Sequence, residues 1–197
     1  KTRDGGVMRL ENLIKEINEE MYRKIMDNHE IDPEEAKETA RIVGLAAIKY
    51  GDLSNQASKD YVFDIDRFTS FEGNTGPYIL YTIVRIKSIL NKYQAAGNDI
   101  QNGKIGVAAN AGEKALMLEL GKFNSVVESA FEEMAPHKIC SYIYDLSNAF
   151  NRFYHETKIL SEEDAKQKAS WIKLLVLTRD VLENCIDMLG FDAPERM

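Results

Sequence analysis

The rest of this chain is organised around residues 70–92, SFEGNTGPYILYTIVRIKSILNK. It starts as a loop in which Asn74 and Gly76 favour turns. Pro77 then fits the first turn of a helix, where its missing N–H is not needed. At about 100° per residue, the helix has two separate stripes. The aliphatic stripe consists of Ile79, Ile83, Ile86 and Leu90. The other stripe, aromatic and cationic, consists of Tyr78, Tyr81, Arg85, Ser88 and Lys92. The aliphatic stripe requires a core on one side of the helix.

The aromatic and cationic stripe suits a nucleic acid, because aromatic rings stack on unpaired bases while Arg and Lys meet phosphates. No acidic residue occurs between Gly76 and Lys92. The alternative is structural: two half-buried tyrosines beside solvated cations. Periodicity alone favours that alternative, since aromatic stripes at helical spacing are usually packing.

Length and composition indicate one large, all-helical domain. The 197 residues are 44% apolar, enough for a substantial core, and include only four prolines and twelve glycines. Long segments follow the helical period. We therefore predict an all-α helical bundle with a short N-terminal loop over residues 1–8.

The sequence predicts a cytosolic protein. It contains no apolar run long enough to cross a membrane, and its start, KTRDGG, lacks the apolar region of a signal peptide. It also lacks an initiator methionine, so we expect a fragment. The two cysteines, Cys140 and Cys185, do not form a metal-spaced cluster, and we expect buried, reduced thiols.

The net charge of −7 is unusual for a nucleic-acid binder. Residues 11–38 carry ten acids against four bases, so the rest of the chain is nearly neutral. The acidity therefore falls on the first helices, and recognition of a nucleic acid has to depend on local contacts.

The helix boundaries follow from caps and breakers. We predict a first helix over residues 9–28, and a second that is capped by Asp32 and ended by Gly51. Phe68 and Phe71 anchor the loop over residues 53–75. A flexible connection follows over residues 95–111. The next predicted helix runs from Asn110 to about Met134, with Glu113 completing its capping box and Phe131 on its apolar side. We predict another helix after Pro136, and a last helix that Ser161 opens and Gly190 ends.

A self-contained active site is not expected. His29, His137 and His155 lack the spacing and neighbours of a metal site, and no phosphate-binding loop, dinucleotide fingerprint or nucleophile elbow occurs. We predict no catalytic residue, no metal and no cofactor in this chain.

Three segments, AIKYGDLS (47–54), DYVFDIDRFTSFEGNTGPYILYTIVRIKSIL (60–90) and LGFDAPERM (189–197), closely resemble the C-terminal region of class I arginyl-tRNA synthetases. The resemblance covers nearly the whole chain. It implies that residues 1–8 are a remnant of the signature loop of the catalytic side, with Lys1 and Arg3 as possible ATP-loop residues; a frayed terminus is the favoured alternative. It also implies that residues 9–197 are the helical (DALR) anticodon-binding domain, with connecting helices over 9–69 and the main bundle over 70–197. No literal Asp-Ala-Leu-Arg occurs.

The resemblance also implies the site residues, which hold an anticodon stem-loop in that family. They are Ser70, Phe71, Asn74, Thr75, Tyr78, Tyr81, Arg85, Tyr154 and Met197. Alternatives stay open for three of them: an internal salt bridge for Arg85, a core position for Tyr154 and a disordered terminus for Met197. Lys158 stands where some members of the family carry an aromatic residue.

The expected function is therefore tRNA binding by a C-terminal fragment of an arginine–tRNA ligase. The resemblance implies that the full enzyme uses ATP with Mg, that its preceding Rossmann-type domain does the chemistry, and that the fragment alone is inactive. We expect arginine-specific tRNA as the partner, no membrane, a monomer and a cytoplasmic location. The alternative function is a helical protein-interaction module that binds no RNA.

Overall fold

The structure, a computed structural model, describes residues 9–28 and 31–197. Its helices are α1 (Leu10–Asn28), α2 (Pro33–Leu53), α3 (Ile65–Phe68), α4 (Gly76–Ala95), α5 (Ala111–Leu120), α6 (Phe123–Glu132), α7 (Pro136–Glu156) and α8 (Ala165–Leu189), with a short 3-10 helix, Ile159–Ser161. No strand occurs in these residues, which confirms the all-α prediction. The predicted N-terminal loop lies outside them.

Helices α1 and α2 form a hairpin. The Asp32 carboxylate caps α2 by accepting hydrogen bonds from the backbone N–H groups of Glu34 and Glu35. The prediction that Gly51 ends this helix is wrong, because α2 continues to Leu53. A Cβ at Gly51 would lie 2.9 Å from the ring of Phe68, so this glycine leaves room for a packed aromatic side chain.

The segment between α2 and α4 is anchored as predicted. Asp64 caps the short helix α3, and Phe68 is buried, 5% exposed. Phe71 packs half-buried against the core. These two rings hold the chain just before α4 begins.

Helix α4 runs through the middle of the bundle, with α2, α7 and α8 packed against it. Its predicted aliphatic stripe is fully buried or nearly so: Ile79, Ile83, Ile86 and Leu90. At its first residue, Gly76, a Cβ would lie 2.4 Å from the backbone oxygen of Ala46 in α2. The start of α4 is therefore fixed against α2 by direct backbone approach.

The segment after α4 departs from the prediction of one long helix. The capping box forms: Asn110 Oδ1 accepts from the N–H of Glu113, and Glu113 Oε2 accepts from the N–H of Ala109. However, the helix ends at Leu120 and restarts at Phe123 as α6. The turn between them resets the helical register, and Phe131, predicted on the apolar side, is 83% exposed.

Helices α7 and α8 complete the core. Five buried residues of α8 match the prediction: Trp171, Leu174, Leu175, Leu182 and Ile186. The helix starts later than predicted, because Ser161 lies in the 3-10 helix and Asp164 is the cap. Gly190 ends α8 as predicted, with a left-handed φ of 80°.

Cys140 and Cys185 are buried and unlinked, as predicted, and burial raises the pKa of each thiol to about 12. Across the described ranges, 9–28 and 31–197, no helix has the length and apolarity needed to cross a membrane.

Candidate nucleic-acid interface

The loop before α4 is closed by Thr75. Its Oγ1 donates to the carbonyl of Ser70 at 2.6 Å and accepts from the N–H of Tyr78 at 3.2 Å. The second bond is an N-cap, which satisfies one free N–H at the start of the helix. Thr75 is 3% exposed, so its side chain shapes the loop from inside and is almost fully shielded from solvent.

Asn74 is tied to the core by its side chain. The hydroxyl of the buried Tyr50 lies 2.5 Å from Asn74 Oδ1 and 2.8 Å from the carbonyl oxygen of Cys140. Burial raises the pKa of Tyr50, so its hydroxyl stays protonated. The tip of the loop is therefore held against α2 and α7 even though Asn74 itself is exposed.

Tyr78 connects α4 to α7 through its hydroxyl. This hydroxyl donates to Asn148 Oδ1 at 2.7 Å and accepts from Asn151 Nδ2 at 3.0 Å. The ring packs edge-on against Tyr144, with centroids 5.8 Å apart. Burial is the main cause that raises the pKa of Tyr78. Tyr78 is thus half-buried and fully engaged in the packing of α4 on α7.

Arg85 lies over two tyrosine rings. Its guanidinium carbon is 4.7 Å from the ring centroid of Tyr81 and 5.1 Å from that of Tyr154. Both distances are within the range of a cation–π contact. Its Nη1 also donates to Asn151 Oδ1 at 2.5 Å. No carboxylate pairs with Arg85 within residues 9–28 and 31–197, so the predicted alternative of an internal salt bridge is not observed there.

Tyr81 and Tyr154 are the accessible aromatic residues of this cluster, with exposed fractions of 38% and 36%. Tyr154 also stacks on the buried Phe150, with centroids 6.0 Å apart. Tyr154 is therefore partly exposed, on the edge of the core, while Phe150 and Phe153 fill the interior. We call Tyr78, Tyr81, Arg85, Asn151 and Tyr154 the α4–α7 cluster.

A cavity of about 560 Å³ opens beside the cluster. Its lining includes Tyr154, and also the basic or titratable side chains of Lys92, His155 and Lys158. This volume lies within the range of clefts that bind small ligands, and the cleft is open on one side. Cations and an aromatic ring therefore meet at the C-terminal ends of α4 and α7.

Met197 is not joined to this cluster by the contacts that hold the C-terminal tail. Glu195 pairs with Lys87 of α4 at 2.8 Å, and Arg196 pairs with Glu35 of α2. Lys87 follows Tyr78 by nine residues, which places it on the opposite side of α4, about 180° around the helix axis. Met197 packs half-buried against the core. The other two sequence-predicted residues, Lys1 and Arg3, lie outside the described residues.

Sequence reasoning missed Tyr144, Asn148 and Asn151. They lie at spacings of four and three residues along α7, which places them on one helical stripe. This spacing indicates a polar and aromatic stripe beside the apolar stripe of α7, and it is visible in the sequence. What faces the stripe is decided by the packing of α7 on α4, and local sequence does not specify that packing.

Among the residues that the structure describes, Arg85 has no carboxylate partner, and two accessible rings and a basic cleft lie beside it. Aromatic faces stack on bases of any sequence, and a guanidinium binds phosphates or base edges. These features define the α4–α7 face as a surface suited to single-stranded, unpaired nucleotides.

Comparisons with known proteins agree with a surface that binds nucleic acid. A family model described as "DALR anticodon binding domain" matches residues 79–197, which include most of α4 and all of α7. A second model, "tRNA synthetases class I (R), catalytic domain", matches residues 1–65. The chain belongs to the DALR anticodon-binding domain family.

The similar proteins are all of one kind, arginine–tRNA ligases. The chain is 68% identical to the arginine–tRNA ligase of Agathobacter rectalis and 59% identical to that of Alkaliphilus oremlandii, with all of this chain covered in each case. It spans 34% and 33% of their lengths. The solved structure of Thermus thermophilus arginyl-tRNA synthetase is similar, with a TM-score of 0.86, 30% identity, and 98% of this chain and 33% of that chain covered. The chain thus resembles about a third of these enzymes.

Proposed function

We propose that this chain binds tRNA and positions an anticodon stem-loop for an arginine–tRNA ligase. The observation that carries the proposal is the α4–α7 cluster, in which Arg85 lies over the partly exposed rings of Tyr81 and Tyr154. All three side chains belong to the segment that matches the anticodon-binding family. Unpaired bases of the anticodon loop would stack on the rings, and Arg85 would meet the backbone phosphates.

Each residue has a proposed role. Ser70, Phe71, Asn74 and Thr75 fix the loop that faces the RNA. Tyr78 anchors α4 on α7, and the accessible rings make the direct base contacts. For Met197 we keep the proposal of a contact with the anticodon loop, although its neighbours in the tail pair with α2 and with the opposite side of α4. A role of Lys1 and Arg3 at an ATP site stays a prediction.

The proposed division of labour assigns the chemistry to residues that precede this chain in its relatives. The full enzyme would use ATP with Mg to activate arginine, in the cytoplasm and as a monomer, and residues 9–69 would connect the two parts. The chain alone would not activate arginine. Arginine-dependent pyrophosphate exchange measures this, and exchange by the purified chain would contradict the division.

The alternative is a protein-interaction module that uses the same face without RNA. A titration with arginine-specific tRNA at two salt concentrations separates the two functions. We expect binding that weakens as salt rises, because phosphate contacts release counterions. The slope should be shallow, since few cations lie on the α4–α7 face. No binding at low salt would favour the alternative.

A further inference from the structure

Arg85 has a long side chain, and its position in the free protein is nevertheless defined. Ordering such a side chain costs rotamer entropy, so contacts must hold it in place. Three contacts hold it: the rings of Tyr81 and Tyr154, and the hydrogen bond to Asn151 Oδ1. Asn151 provides the directional contact among the three, because a ring face constrains a guanidinium only loosely.

The orientation of the Asn151 amide follows from its other neighbours. The hydroxyl of Thr82 donates to the carbonyl of Tyr78 at 3.0 Å, and the hydroxyl of Tyr78 donates to Asn148. Both oxygens must therefore accept at their remaining positions. Asn151 Nδ2 supplies those two hydrogens, at 3.2 Å to Thr82 Oγ1 and at 3.0 Å to Tyr78. The amide oxygen is consequently the atom that faces Arg85.

The Asn151 amide is neutral, so it does not offset the charge of Arg85. Elsewhere in the described residues, arginines are typically held by carboxylates, as Arg41 is by Glu38, Arg152 by Glu156 and Arg179 by Asp180. An aspartate at position 151 would offset the charge of the guanidinium, and it could not donate to Thr82 and Tyr78. Asparagine fixes the geometry and keeps the positive charge available to a partner.

We infer that Asn151 is a positioning residue for RNA: it orients Arg85, through the hydrogen bond from Nη1, so that the guanidinium meets a phosphate while stacked on Tyr81 and Tyr154. The inference rests on the proposed tRNA-binding function. It adds a residue that contacts no RNA itself and acts through Arg85. The remaining N–H groups of the guanidinium make no hydrogen bond within the described residues and are donors that a phosphate could accept from.

The test compares Asn151→Leu with Arg85→Ala in titrations with arginine-specific tRNA over a range of salt. Losing a hydrogen bond to a charged group weakens binding by roughly tenfold or more. Arg85→Ala should also lower the salt slope by about one. Asn151→Leu removes no charge, yet it should lower the slope by the same amount, which a role in stability alone would not do. The double variant should bind no more weakly than Arg85→Ala.

Asn148→Ala is the matched control, because it lies on the same stripe of α7, contacts the same Tyr78 hydroxyl and does not touch Arg85. It should keep the salt slope. If Asn151→Leu does not fold, Asn151→Ala takes its place, with thermal unfolding measured alongside. A wild-type slope in the position-151 variant, with a lowered slope in Arg85→Ala, would overturn the inference and leave the proposed function standing. If the unmodified chain binds no tRNA, the proposed function fails and the inference fails with it.

Discussion

Replacing Gly76 by alanine should destabilise the protein, because α4 and α2 meet there by direct backbone approach. The added Cβ would lie 2.4 Å from the oxygen and 2.6 Å from the carbonyl carbon of Ala46, whereas ordinary contacts start at 3.4 Å. Neither atom belongs to a flexible side chain that could turn away, so the helices must separate by about 1 Å.

The expected loss is about 1–3 kcal/mol, which is typical of overpacking and exceeds the roughly 0.4–1 kcal/mol that alanine gains by restricting the unfolded chain. For a domain of this size the loss corresponds to a drop of roughly 2–12 °C in melting temperature. Thermal unfolding followed by far-UV circular dichroism measures it.

Gly121→Ala is the matched control. Gly121 has right-handed helical angles, and a Cβ there would meet its nearest neighbours at 3.5 and 3.6 Å, which are ordinary contacts. That variant should be as stable as the wild type or slightly more stable. Equal melting temperatures for the two variants would show that backbone approach at Gly76 does not fix the start of α4.

Three further predictions concern caps, thiols and the tail. Asp164→Ala should cost about 1 kcal/mol in unfolding free energy, and Ser161→Ala much less, because Asp164 is the cap of α8. Both cysteines should resist a thiol reagent at neutral pH until the protein unfolds, since burial raises their pKa to about 12. The hydrogen bond from Arg196 lowers the pKa of Glu35. The contact therefore stabilises the tail at pH values above the ordinary carboxyl pKa, and this stabilisation is lost as the pH falls through the lowered pKa. Arg196→Ala should raise the pKa of Glu35 in an NMR titration; an unchanged value would contradict the pairing.

The sequence predicts those parts of the fold that depend on local periodicity and caps. The aliphatic stripe of α4, the cap at Asn110 and the helix end at Gly190 are all local signals, and each prediction is confirmed. The predictions for Gly51 and Ser161 are wrong, because glycine and serine occur in several structural roles besides ending or starting a helix. Gly51 makes room for the Phe68 ring, and Ser161 belongs to a 3-10 turn before the true cap.

The candidate site is harder to predict, because it is built from two helices about 70 residues apart in the chain. The stripe that carries Tyr81 and Arg85 is visible in the sequence of α4. The contribution of Asn151 and the shared cation–π contact with Tyr154 exist only after α7 packs on α4. Hydrogen-bond complementarity between helices is a tertiary property, and the helical period alone does not contain it.

We propose that the α4–α7 face binds unpaired bases of tRNA. The most direct test compares the tRNA affinities of the Tyr81→Ala and Phe131→Ala variants in titrations. Phe131 is an exposed aromatic residue of α6, the helix that precedes the N-terminal end of α7, whereas Tyr154 lies near the C-terminal end of α7. Loss of the Phe131 ring should leave tRNA binding unchanged. Removal of a stacking ring should weaken binding by roughly 1–3 kcal/mol. The loss should be largely independent of salt, because the hydrogen bond to Asn151 still orients Arg85. Folded Tyr81→Ala protein that binds tRNA as tightly as the Phe131→Ala variant would contradict the claim.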